Sequence, residues 1–307
     1  MKKTVNNNLT TALFLFPGQG SQYTGMGLEI LEKFPKLTDF YDIANDILEY
    51  NILEIISNQN SDKLNQTLYT QPAIFIDSII KETLLLANNI FPHAVAGHSL
   101  GEYSALVSAN VLNFEDALKI IKVRSYEMQN AGNKNPGKML AIIGASKEQI
   151  QDICNRGDVL VAANYNSPNQ IVLSGDNKSI EEAVDYCKEI GLRKIIPLKT
   201  SGAFHSPLMK SARPALIKVI NSVDFRNTRV PIYQNTKPTS ETNGQKIKEN
   251  LIKQLENPVY WSETINNMNQ DSNKNFIEVG PGNVLYKLNN KILKKSNTLT
   301  FNMVNLG

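Results

Sequence analysis

A pentapeptide, Gly97-His98-Ser99-Leu100-Gly101, sits between the short apolar run Ala94-Val95-Ala96 and a segment of helical character over 102–110. A chain that leaves a buried strand and enters a helix almost at once has few conformations open to it. Glycines on both sides of Ser99 remove the Cβ atoms that would clash in so sharp a turn. The serine is then held at a helix N-terminus, on the strand-to-helix elbow that suits an exposed nucleophile. There the N–H of Leu100 can face a developing oxyanion. The plainer alternative is a glycine-rich turn with a capping serine.

The segments around the elbow extend the pattern. Residues 12–16 read as a buried strand stopped by Pro17 and Gly18, and helical periodicity covers 27–33, 38–46 and 71–87. Short apolar strands alternating with helices predict a parallel α/β sheet. The rhythm then changes. Strands over 139–143, 159–163, 171–174 and 194–197 enclose helices over 147–154 and 179–190, the βαββαβ order of a ferredoxin-like unit. It follows the glycine- and proline-containing stretch 132–137 and stops near Ser201-Gly202. The expected organisation is a large α/β domain from 1–132 and 202–307, with a small domain of 133–201 inserted. A strand over 276–279 and a helix from Val284 to about Lys294 complete the reading, and the polar start with Asn6-Asn7-Asn8 is expected to fray.

Composition narrows the function. Thirty-two Lys+Arg against 29 Asp+Glu leave a net charge of +3, too mild for binding nucleic acid by bulk phosphate neutralisation. Two cysteines, Cys154 and Cys187, make neither a disulfide framework nor a CxxC site, and three histidines without an HExxH pattern argue against a structural metal. The apolar run at 12–16 is far short of a signal or membrane-spanning segment. A cytoplasmic protein with no membrane partner is expected.

Other candidates for chemistry can be weighed singly. Gln19, in Phe16-Pro17-Gly18-Gln19-Gly20-Ser21-Gln22, follows the first strand. It could offer its backbone N–H to an oxyanion, or belong to an ordinary βα turn; the stretch has neither a dinucleotide fingerprint nor a P-loop lysine. His205, in the loop Gly202-Ala203-Phe204-His205-Ser206-Pro207, is the best general base, because His98 adjoins the nucleophile and His93 follows Pro92 in a surface-like turn. No acid presents itself as its orienting partner, so a dyad is as plausible as a triad. Arg124 falls on the apolar stripe of a helix that opens at Asn113, between Ile121 and Met128. A buried guanidinium requires a partner: an internal acid, solvent reached by snorkelling, or a substrate carboxylate held by two parallel hydrogen bonds.

Together these pieces resemble the malonyl-CoA:acyl-carrier-protein transacylase family. The shared motifs are FPGQGSQ (Phe16 to Gln22), TQPA (Thr70 to Ala73), GHSLGEYSAL (Gly97 to Leu106), Arg124, AANYNSP (Ala162 to Pro168), GAFHS (Gly202 to Ser206), QLENPVYW (Gln254 to Trp261) and EVGPG (Glu278 to Gly282). The resemblance implies an α/β-hydrolase-like large domain with a ferredoxin-like insertion. It implies Ser99 as acyl-carrying nucleophile, His205 as base, and the N–H groups of Gln19 and Leu100 as oxyanion hole. Arg124 would hold the malonyl carboxylate, with Gln71, Met128 and Phe204 in the same pocket. The main-chain carbonyl of Gln254 would orient His205. In related acyltransferases a Phe before the histidine accompanies malonyl preference and a Ser there methylmalonyl.

The implied partners are malonyl-CoA and an acyl carrier protein that brings its own phosphopantetheine. No resident cofactor is expected, and the chain is expected to act as a monomer in fatty acid synthesis. Carrier proteins of this kind are acidic, so Arg193, Lys194 and Lys291 are expected to form a basic docking rim. Three alternatives remain open: an acyltransferase loading polyketide carriers, an acyl-CoA or acyl-carrier hydrolase, and a non-catalytic carrier-binding module. Arg124 argues against a simple esterase pocket, and the presence of both Ser99 and His205 against the last.

Overall fold

The computed structural model describes residues 9–60, 62–272, 274–293 and 297–306. The expected fraying of the first residues and the helix end at Lys294 lie outside them. In chain order the elements are β1 (Thr11–Phe16), α1 (Leu28–Lys33), α2 (Asp39–Leu48), α3 (Ile52–Ser57), α4 (Thr67–Ala87), β2 (Phe91–Gly97), α5 (Gly101–Ser108) and α6 (Phe114–Lys134). There follow β3 (Gly137–Ile143), α7 (Lys147–Cys154), β4 (Leu160–Ser167), β5 (Gln170–Asp176), α8 (Asn177–Glu189) and β6 (Lys194–Leu198). The chain closes with α9 (Arg213–Asn221), β7 (Ile232–Gln234), β8 (Lys237–Glu241), α10 (Gly244–Gln254), α11 (Trp261–Asp271), β9 (Phe276–Glu278), α12 (Val284–Ile292) and β10 (Thr298–Thr300).

A six-stranded sheet runs β10-β9-β1-β2-β7-β8, parallel throughout except for β8. β1 is apolar at every position after the first because both its faces are covered. Phe14 and Phe16 join a core that includes Ile76 of α4, Leu106 of α5 and Ile121 of α6. Leu13 and Leu15 point the other way, into a core with Trp261 and Ile265 of α11 and Leu285 of α12. The large sheet is an α/β-hydrolase-like layer in which β7 and β9 are buried throughout, β1 after its first residue and β2 over its last four.

The second sheet is antiparallel, ordered β4-β5-β3-β6, and its connectivity through α7 and α8 is the ferredoxin-like one. Alternation along β3 again sorts the packing. Leu140 and Ile142 face α7 and α8, whereas Met139 and Ala141 join the main core. The two layers are stitched together where Tyr165 donates to the Val259 carbonyl at 2.9 Å and Val259 to the Ala163 carbonyl at 2.8 Å.

Several boundaries differ from the sequence reading, each for a physical reason. The helix expected from Gln71 begins four residues earlier, at Thr67. Pro72 marks a start only when its missing N–H falls in the first turn; here it lies one turn in, and tertiary packing holds the helix through it. The helix expected over 102–110 stops at Ser108, because Asn110 turns left-handed with φ 57°. His93 is exposed, as expected, but lies in β2 rather than in a turn.

Candidate active site

β2 ends at Gly97 and α5 starts at Gly101, so the nucleophile candidate is carried on a turn between them. The glycines are required by contact. A Cβ on Gly97 would lie 1.9 Å from the Gly101 carbonyl carbon, and one on Gly101 2.0 Å from the Phe16 carbonyl oxygen. Ser99 itself is left-handed, φ 52°, and so is His205, φ 56°. Non-glycine residues in that region cost about 1–3 kcal/mol and persist where their surroundings fix them.

The two side chains meet: Ser99 Oγ lies 2.8 Å from His205 Nε2. The histidine's other nitrogen, Nδ1, is 3.1 Å from the carbonyl oxygens of both Gln254 and Asn257. Carbonyls only accept, so Nδ1 carries the proton and Nε2 presents its lone pair to the serine hydroxyl. No acid is needed to set this tautomer. Burial, and then the nearby Arg124 guanidinium, push the His205 pKa down to about 3, so the ring is neutral at physiological pH.

Arg124 is 1% exposed, on the inner face of α6. The helix opens as expected, with the Asn113 side chain accepting the Asp116 N–H at 2.7 Å. Arg124 Nη1 donates to Gln71 Oε1 at 2.7 Å, and Nη2 to Ser99 Oγ and to Gln254 Oε1, both at 3.1 Å. Its Nε has no hydrogen-bond partner among the described residues. None of the ion pairs among the described residues includes Arg124, so the internal salt bridge weighed from sequence is absent. Burial lowers its pKa, opposed by Tyr103 beneath it and by the buried Glu102.

A cavity of about 800 Å³ opens on these groups and is lined by Gln19, Gln71, Ser99, Leu100, Arg124, Met128, Phe204 and His205, among others. The small sheet supplies part of its wall through Met139, Asn164, Val172 and Leu198. Gln71 is oriented by its neighbours, its Nε2 donating to Met128 Sδ at 3.4 Å. Among the described residues the backbone N–H groups of Gln19 and Leu100 enter no hydrogen bond, and both residues line the cavity. His98 also lines the cavity, its ring pairing with Asn166 Oδ1 at 2.8 Å and lying edge-on to Trp261. No group of three or more His, Cys, Asp or Glu among the described residues is placed to hold a metal ion. No helix among them is long and apolar enough to cross a membrane.

Arg193, Lys194 and Lys291 stand apart from the cavity. Lys194 and Gln170 both pair with Ile143, and Lys291 Nζ reaches Gln170 Oε1 at 3.5 Å, so the two lysines share one end of the small sheet. Sequence reasoning missed Asn257, Asn235 and the side chain of Gln254. Asn257 and Gln254 fall within the quoted QLENPVYW motif, whereas nothing in the run Gln234-Asn235-Thr236 signals a role.

A serine hydroxyl bound to a neutral imidazole, on the turn after a parallel strand, defines an α/β enzyme of the acyl-transfer type. The chain belongs to the acyl transferase domain family, whose model matches residues 13–305. It is 39% identical over 290 residues to the malonyl CoA-acyl carrier protein transacylase of Bacillus subtilis, covering 93% of this chain and 92% of that protein. The solved malonyl CoA-acyl carrier protein transacylase of Coxiella burnetii superposes with a TM-score of 0.91 at 34% identity, covering 96% of this chain and 94% of the other. A malonyl-transacylase solved in complex with a type II polyketide synthase acyl-carrier protein gives a TM-score of 0.89 at 34% identity, covering 94% of each chain.

Proposed function

We propose that this chain transfers the malonyl group of malonyl-CoA to the phosphopantetheine thiol of an acyl carrier protein, through a malonyl ester on Ser99. One observation carries the reading: among the described residues, the buried arginine beside the serine–histidine pair gives its hydrogen bonds to neutral acceptors and enters no ion pair. A free carboxylate on the acyl group would supply the missing counter-charge and two strong acceptors.

His205 Nε2 takes the Ser99 proton as Oγ attacks the thioester carbonyl. The N–H groups of Gln19 and Leu100 receive the oxyanion, an arrangement in which losing one donor typically costs ~10²–10³ in rate. As the C–S bond breaks, the imidazolium returns its proton to the CoA sulfur, and a malonyl-serine ester remains. The carrier thiol then gives its proton to His205 and attacks the ester; serine leaves with that proton. Residues 1–132 and 202–307 would hold this machinery and 133–201 would close the pocket. Arg193, Lys194 and Lys291 would meet the acidic carrier.

Brief exposure to malonyl-CoA should add one malonyl group, seen by intact mass spectrometry, and Ser99→Ala should abolish it. An adduct that survives the substitution refutes the nucleophile. Fatty acid synthesis is the proposed destination; the likeness to a transacylase bound to a polyketide carrier favours one rival. Transfer rates to a fatty-acid carrier and a polyketide carrier, measured side by side, separate the two.

A further inference from the structure

Asn235 lies just past β7, the strand that pairs with β2, and is 2% exposed. Its side-chain amide spans the nucleophile turn. Oδ1 accepts the Ser99 N–H at 2.7 Å, and Nδ2 donates to the Gly97 carbonyl at 2.6 Å. Because one partner can only donate and the other only accept, the amide has a single usable orientation. The backbone N–H of Asn235 donates to Glu102 Oε2 at 2.9 Å, and Glu102 Oε1 accepts from Gln234 Nε2 at 3.0 Å. Glu102 in turn lies in the first turn of the helix that Ser99 precedes, its own N–H donating to the Ser99 carbonyl at 3.1 Å. The loop is closed: turn, Asn235, Glu102, helix, turn.

We propose that Asn235 is a positioning residue for the acyl-transfer step, its amide fastening both flanks of the left-handed Ser99 so that Oγ stays aligned with His205. The proposal rests on the reading of Ser99 as nucleophile. Without the amide, the Ser99 N–H and the Gly97 carbonyl lose their partners and φ can relax from its strained value. A displacement of about 1 Å at a reacting group is enough to cost ~10² in rate.

The substitutions distinguish positioning from mere stability. Asn235→Ala should lower kcat about 10²-fold, counted per serine that can be malonylated, with KM for malonyl-CoA within about threefold of wild type. Asn235→Asp keeps the shape but sets a second acceptor against the Gly97 carbonyl. The charged and titratable groups of this network are Glu102, which accepts the Asn235 N–H, Arg124 and His205, which bond the Ser99 hydroxyl, and His98, which precedes Ser99 in the turn. Burial at so enclosed a position holds the introduced carboxyl toward its protonated form, with the Arg124 charge opposing it, and a protonated carboxyl can again donate to Gly97 while accepting from Ser99. The ratio of its kcat to that of wild type should therefore climb at least tenfold between pH 8 and pH 5.5. If Asn235→Ala folds and keeps wild-type kcat per acylatable serine, the proposal fails. If it does not fold, the Asn235→Asp ratio decides, and a ratio independent of pH overturns the proposal. Malonylation of Ser99→Ala, run as a control, would instead overturn the nucleophile on which it rests.

Discussion

Arg124 Nη2 donates to the Oγ of Ser99 at 3.1 Å, so guanidinium and hydroxyl share a hydrogen bond. A hydroxyl is a weaker acceptor than a carboxylate. An entering malonyl group would draw the guanidinium onto its own oxygens and leave the Oγ lone pairs free for the carbonyl. Acetyl, with nothing to offer the arginine, would leave that contact in place.

Arg124→Ala should therefore lose roughly 30- to 5,000-fold in malonyl transfer, taking ~2–5 kcal/mol for breaking a buried charged pair and tenfold per ~1.4 kcal/mol. Acetyl transfer should fall little or rise, so that the acyl preference reverses. Values of kcat/KM for both thioesters in both proteins decide the matter. Equal losses would make Arg124 a structural residue.

The pH dependence of acylation follows from His205. With its pKa at about 3, the free enzyme's base stays unprotonated through the mildly acidic range, and kcat/KM for malonyl-CoA should be level from pH 8 down to pH 5. Part of that depression comes from the Arg124 charge. In Arg124→Ala the acid limb should move toward neutrality, visible with acetyl-CoA as substrate. An unmoved limb would place the cause in burial alone.

Phe204, 6% exposed, lines the cavity immediately before His205. Its ring would limit the volume beside a bound acyl group. A single methyl in such a pocket is worth only ~1–3 kcal/mol, so exclusion of methylmalonyl should be incomplete. Phe204→Ser is expected to narrow the malonyl-to-methylmalonyl ratio of kcat/KM, and an unchanged ratio would count against the role.

Lys194 and Lys291 share one end of the small sheet, four residues along β3 from the pocket-lining Met139, or about 13 Å. Charge reversal at Arg193, Lys194 and Lys291 together should raise KM for the carrier while malonyl-CoA hydrolysis is untouched. A carrier KM that does not move rejects this face.

Glu82, on α4, is 4% exposed, and burial raises its pKa to about 8 from 4.5. Between those values the folded chain keeps a proton that the unfolded chain releases, so stability falls as pH rises through that window. Glu82→Gln removes the titration. Its melting temperature relative to wild type should be higher at pH 8 than at pH 5. The opposite trend would mean that Glu82 is ionised and paired in the folded protein.

How much of this was legible in the sequence depends on the distance over which each signal acts. The elbow could be read because its glycines and serine are consecutive and the backbone contact at Gly97 is local. Arg124 could be read because a charge on an apolar stripe contradicts its own helix. The order of the small sheet's elements was legible from alternation, with β4 running four residues past its expected end because its pairing with β5 continues through two irregularities in register. The Asn235 clamp was not legible. It depends on β7 lying beside β2, a pairing of residues more than 130 positions apart, and an asparagine after a three-residue strand carries no pattern. The first turn of α4 was not legible, because Gln66 ahead of it makes no side-chain cap hydrogen bond and Pro72 falls inside the helix.

Where the small sheet enters and leaves the larger body, the chain nearly touches itself: a Cβ on Gly132 would lie 2.3 Å from the Ser201 carbonyl oxygen. A short linker could therefore join the two points and delete everything between them. Ser99, His205, Arg124 and Gln254 would all survive such a deletion, while Met139, Asn164, Val172 and Leu198 would vanish from the wall. Reactivity and part of the confinement would thus lie in different stretches of the chain, although Met139, Ala141, Ala163 and Val172 also fill the main core. A shortened chain would be expected to keep an acylatable serine and to surrender the ester to water.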